Sequence, residues 1–219
     1  MTSTQRANLM RNIEFHLNVL LAEAERLYGP RDATYRFAGV RLDPKGPRLW
    51  FSSPTSDEIW IELSPSTMSY PDQALHQLAH EVIHLVAPDR SPPAVMLEEG
   101  LAVHFSVYAP TFISPTYRRD ALKYLITTPS ARNYLDALCV YNELVAIEPN
   151  AIVVLRQKEP KFHAMDPSFI MSMIPQVREE LAERLCERRQ MRMDAFTSAA
   201  STDCRKRRKR IAPEAQALL

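Results

Sequence analysis

Pro71-Asp72-Gln73-Ala74-Leu75-His76-Gln77-Leu78-Ala79-His80-Glu81-Val82-Ile83-His84-Leu85-Val86 carries both a helix and a chemical pattern. Leu75, Leu78, Ala79, Val82 and Val86 recur at three- and four-residue intervals, the period of an amphipathic helix. Pro71 suits the first turn, where its missing N–H costs nothing, and Pro88 closes the other end. Within this helix residues 80–84 read HExxH. Histidines four apart lie about 40° apart around a helix and one turn apart along it, so both imidazoles can reach one ion. Glu81 is offset by one residue. It can stand beside a metal without ligating it and take a proton from water.

A third ligand is needed downstream. Ala94-Val95-Met96-Leu97-Glu98-Glu99-Gly100-Leu101-Ala102-Val103 is apolar on nearly every side except for two adjacent carboxylates. A helix apolar all round is a buried helix. A buried carboxylate is strongly unfavourable unless it is paired or bound to a metal. Glu99 shares a face with Val95, Ala102 and Val103 and is the candidate ligand. Gly100 is expected to let this helix approach the helix of residues 71–86 closely. Glu98 points elsewhere and needs its own partner, an Arg or a histidine ring N–H.

The segments His80-Glu81-Val82-Ile83-His84 and Glu98-Glu99-Gly100-Leu101-Ala102 together resemble the gluzincin metallopeptidases, in which an HExxH helix is followed by a helix bearing a glutamate ligand before Gly. Trp60-Ile61-Glu62-Leu63 resembles the edge strand on which such enzymes bind extended peptides. The resemblance covers roughly residues 58–108. It implies a zincin-like fold and a Zn2+ ion held by His80, His84 and Glu99. It also implies hydrolysis of a peptide bond with Glu81 as general base, acting on a peptide or protein substrate. Relatives supply a downstream Tyr or His for the oxyanion. Tyr108, Tyr117, Tyr124, Tyr134 and Tyr141 are available here; Tyr117 is favoured, as a loop-borne hydroxyl near a helix start.

Outward from this centre, residues 4–28 form an amphipathic helix through Ile13, Leu17, Leu20, Leu21, Ala24 and Leu27, stopped by Gly29-Pro30. Three short runs follow: Tyr35 to Val40, Leu49-Trp50-Phe51, and residues 59–63, where Ile59, Ile61 and Leu63 alternate with Trp60 and Glu62. Their short links predict a small antiparallel sheet. A second helix is expected from Pro92-Pro93 to about Val107, with others at 117–127, 131–147, 151–157 and 172–197. The fold class is α+β: a small antiparallel sheet packed on the active-site helix, then a mostly helical C-terminal region. The expected organisation is an N-terminal helix (1–30), a zincin-like core (31–148), a helical extension (149–200) and a basic, disordered tail (201–219).

The 219 residues, 46% hydrophobic and 24% charged, suffice for one sizeable domain. Only 4 Gly are present, which argues against a Gly-rich nucleotide loop. The net charge is +1, and removing the six cations of Arg205–Arg210 leaves −5 for the rest, so the body is mildly acidic. A nucleic-acid role therefore rests on the tail alone, and a solvated tail is the plainer reading. A non-catalytic protein that binds a partner in the groove is the other rival, and Glu81 speaks against it. Cys139, Cys186 and Cys204 show no paired spacing, which fits a reducing compartment with the first two buried. Arg11, Asn12, Glu14 and His16 interrupt the N-terminal segment, and no apolar run is long enough to span a bilayer, so neither a signal peptide nor a membrane partner is expected and the reading is cytoplasmic. His76 is read as solvated or as a support to the ligands, and His104 as a packed, hydrogen-bonded side chain. His16 and His163 carry no pattern.

Overall fold

Helix α1 (Ser3–Tyr28) opens the computed structural model, which describes residues 3–91 and 93–191, and for residues 3–10 the backbone alone. Ile13, Leu17, Leu20 and Ala24 are its buried stripe. Gly29, at φ 93°, ends it in the left-handed conformation that glycine adopts without a Cβ penalty. The basic run 205–210 and Cys204 lie outside the described residues, as does the end of the helix expected to reach residue 197.

The strands are β1 (Arg36–Leu42), β2 (Arg48–Phe51) and β3 (Glu58–Leu63). The sheet order is β1-β3-β2, with β1 parallel and β2 antiparallel to β3. The sheet is therefore mixed, not antiparallel throughout. The cause lies in the link after β1, which crosses the end of β3 and does not fold back beside β1. Asp43 N–H donates to Leu63 O at 3.0 Å, and at Gly46 the link passes so close that a Cβ would meet Glu62 O at 2.8 Å. The chain reaches the far side as β2, and β3 then fills the space between. Strand β3 is thus central, so Trp60-Ile61-Glu62-Leu63 is not an edge strand; among the described residues the edges are β1 and β2. Ile59, Ile61 and Leu63 point into the core, fully buried. On the opposite face the buried Glu62 carboxylate is held by Arg41 at 2.6 Å and Arg48 at 2.6 Å.

Helices follow: α2 (Pro71–Val86), α3 (Met96–Tyr108), α4 (Tyr117–Thr127), α5 (Arg132–Ile147), α6 (Ala151–Arg156), α7 (Pro167–Met173) and α8 (Glu179–Cys186). The architecture is α+β and mostly helical. Helix α3 starts at Met96, not at the proline pair, because Val95 is extended and bridged to Arg188, and Met96 N–H donates to Glu187 O. The helix expected over 172–197 is instead split. Ile174, held out of the helical conformation before Pro175, ends α7, and the chain resumes as α8 only at Glu179.

One apolar cluster runs from Ile13 in α1 to Leu185 in α8 and surrounds α2, which is buried on nearly all sides. Arg156, 6% exposed, ties the ends of α1 and α2 together by donating to the carbonyls of Tyr28, Gly29, Pro30 and Val86. These are C-terminal carbonyls, where a cation also meets the favourable end of the helix dipole. Cys139 is exposed and Cys186 half-buried, contrary to the expectation that both are buried, and neither is in a disulfide. No helix among the described residues is long and apolar enough to cross a membrane.

Candidate metal centre

His80 and His84 project from the buried helix α2 toward the first turn of α3, which carries Glu98 and Glu99. The two Nε2 atoms lie 3.2 Å apart. Glu99 Oε2 is 3.4 Å from His80 Nε2, and Oε1 is 3.9 Å from His84 Nε2. A tetrahedral ion with arms of about 2.0–2.1 Å spaces its ligand atoms about 3.3–3.4 Å apart. The three side chains converge at nearly that spacing. They form the one group of three or more His, Cys, Asp or Glu side chains among the described residues that could hold a metal ion. Glu99 Oε2 is buried and makes no hydrogen bond of good geometry. A buried carboxylate in that condition, with one oxygen toward each imidazole nitrogen, fits a cation such as Zn2+.

Gly100 explains how α3 reaches this position, and by a different contact from the one the sequence implies. It faces α5, not α2: a Cβ there would meet Ala137 O at 2.3 Å and Tyr141 Cβ at 2.7 Å. Successive residues turn about 100° around a helix, so Glu99 and Gly100 cannot both face α2. Glycine lets α3 press on α5 while its carboxylates point at the histidines.

Glu98 has the second of its two anticipated partners, a histidine ring. Its Oε1 accepts from His84 Nδ1 at 2.7 Å, and the carboxylate is 2% exposed. That bond holds a proton on Nδ1 and makes Nε2 the nitrogen that would ligate once its own proton is displaced, the carboxylate–histidine arrangement that orients metal ligands. Burial alone would lower the His84 pKa, but Glu98, Glu99 and Glu81 outweigh it and push the imidazole up to about 10 in the metal-free chain. Burial likewise acts to raise Glu99, yet His80 and His84 hold it below the ordinary carboxylate value. Glu98→Ala is expected to lower zinc affinity by roughly 10–100-fold with the three ligands intact. Competition with a chromophoric chelator measures this, and unchanged affinity would show that Glu98 does not orient His84.

Glu81 is 2% exposed, and burial raises its pKa while the two imidazoles oppose that shift. It therefore lies within electrostatic reach of both histidines without belonging to the converging group. The Tyr117 ring packs on His76 (5.9 Å) and Phe112 (4.5 Å). The tyrosine whose ring meets a candidate ligand is Tyr134, 5.9 Å from His80. Burial, then the charges of Glu99 and Glu81, hold its phenol protonated far into alkali. The spacing of Tyr134, Ala137, Leu138, Tyr141 and Leu144 puts Tyr134 on the buried face of α5, but the partner it meets there is set by packing.

His76 is not solvated. It is 7% exposed, stacked on Phe112, with Nε2 3.5 Å from Ser106 Oγ. Burial, then the neighbouring His80, pushes its pKa down to about 3. A histidine kept neutral in the fold contributes stability above its unfolded pKa near 6.5, and that contribution fades as pH falls toward about 3. With zinc chelated, the denaturant midpoint should therefore fall less between pH 7 and pH 4 in His76→Gln than in the parent; equal losses would show that His76 does not set the acid limit. His104 is packed, its ring 5.0 Å from Tyr141, and His163 lies 3.6 Å from Asp89, away from the centre.

Comparison with family models, with curated proteins and with solved structures finds no match for this chain.

Proposed function

We propose that this chain is a gluzincin-like zinc metallopeptidase that hydrolyses peptide bonds, with His80, His84 and Glu99 holding the ion and Glu81 as general base. The observation that carries the reading is the convergence of two Nε2 atoms and a buried carboxylate, backed by Glu98 on the far side of His84. When bound there, zinc supplies a Lewis acid that polarises a carbonyl and acidifies water.

The rest belongs to the protein side chains. Glu81, one residue past His80 on the same helix, accepts the proton of the attacking water and passes it to the leaving amine. Its burial raises its proton affinity, which suits a group that must hold a proton for part of the cycle. We assign the oxyanion donor to Tyr134, whose ring packs on His80, in preference to Tyr117. Glu98 keeps the His84 ring in its orientation.

Metal analysis after mild purification, paired with a peptide-library digest, tests the proposal. About one zinc per chain and defined cleavage sites are expected. A protein that neither contains zinc nor takes it up removes the basis of the reading. A zinc-loaded protein that cuts no peptide, yet binds a partner at the groove, favours the scaffold.

A further inference from the structure

We infer that the cavity beside His80 is a side-chain pocket limited to a small aliphatic group, so that peptides cleaved by this chain carry Ala or Val, and not Leu or an aromatic residue, next to the cleaved bond. This rests on the reading of His80 as a zinc ligand at a peptide-cleaving site.

The cavity lies where α2, α3, α4 and α5 meet the link before β2, and His80 forms part of its wall. Its volume is about 30 Å³. A single water occupies about 10–15 Å³ on that measure, and a cavity that admits benzene about 150 Å³. The space therefore takes a group of two or three heavy atoms and no ring. Val103 and Leu125, 4% and 3% exposed, form its apolar sides, with Pro47 opposite.

Polar groups at the wall are turned to one another. Ser106 Oγ donates to Val103 O at 2.9 Å and lies 3.5 Å from His76 Nε2, while the Gln77 amide is engaged with Ser64. What the cavity offers an occupant is a largely apolar surface, bounded on one side by a candidate metal ligand and lined also by Tyr134. A large side chain would find no room. Leu125 is the lining residue that comes from α4, outside the HExxH and EEGLA segments, and truncating it enlarges the space.

The test uses the zinc-loaded full-length chain and a peptide library in which each position flanking the cut is varied. Ala and Val should exceed Leu and Phe by at least 10-fold in kcat/KM at one flanking position, in line with the roughly 10–200-fold cost of a misfitted methylene. Leu125→Ala should shift the preference toward Leu by a similar factor, and Val103→Ala serves should the first variant fold poorly. A parent that cuts beside Phe as readily as beside Ala overturns the inference. Cavity size is also read without activity, from NMR of the Val103 and Leu125 methyl groups. Xenon should shift both in the parent, whereas benzene should shift the Val103 methyls only once Leu125 is truncated. Benzene binding to the parent, or no xenon binding, overturns the size limit. If the parent cuts no peptide while xenon and benzene behave as described, the peptidase reading falls and the small-group pocket stands.

Discussion

Glu81→Gln is expected to retain zinc and to lose peptidase activity by roughly 10²–10⁴-fold, the range ascribed to a positioned acid–base group. The amide keeps the shape of the carboxylate and removes the proton acceptor. Glu81 is about 100° around α2 from His80, away from the point where the two Nε2 atoms converge. Its loss should not disturb the ion. Two measurements on one sample decide the matter, metal content and kcat/KM on the best peptide from the library. Equal cleavage by parent and variant, both fully loaded, would eliminate Glu81 as the base while leaving the metal site intact. Loss of zinc in the variant would mean that Glu81 supports the ion and is not reserved for the proton.

Zinc loading should raise thermal stability strongly, and His84→Ala should abolish the gain. An ion that binds only the folded chain at 1,000 times its Kd stabilises by about 4.1 kcal/mol. For a domain of this size that corresponds to a rise in Tm of about 8–16 °C, at about 2–4 °C per kcal/mol. The pH dependence has a definite sign. In the metal-free chain the His84 pKa is raised from 6.5 to about 10, so its proton stabilises the fold below pH 6.5, and that contribution is lost as pH climbs toward 10. Zinc competes with the same proton and gains affinity over the same window. The difference in Tm between loaded and metal-free protein should therefore widen from pH 6.5 upward. Calorimetry with and without chelator reads it. A gap that stays constant with pH, or a His84→Ala variant that still gains from zinc, would place the ion elsewhere.

The effect of Glu98 differs in kind from that of the ligands. On the proposed assignment, removing His84 or Glu99 would take away a ligand atom, whereas removing Glu98 would leave three ligands and free the ring that one of them must hold still. A graded loss at Glu98 beside an all-or-none loss at His84 would separate orientation from ligation.

The candidate ligands were legible in the chain because they depend on local geometry. Spacing of four residues on a helix brings His80 and His84 to one side whatever the rest of the fold does, and an apolar segment interrupted by Glu98-Glu99 forces a question about what those carboxylates meet. The course of α1 through Ile13, Leu17, Leu20 and Ala24 to Gly29 was legible for the same reason. Non-local pairing was not. Strand order β1-β3-β2 depends on the Gly46 link passing over Glu62 and Leu63, and short connecting segments in a sequence do not reveal that the chain has stepped across a strand still to come. Which helix Gly100 approaches, which tyrosine meets His80, and whether Glu98 finds an arginine or an imidazole were likewise settled by how α2, α3 and α5 pack. Each is a contact between residues distant in the chain, and a one-dimensional pattern constrains only the face from which such a contact is made.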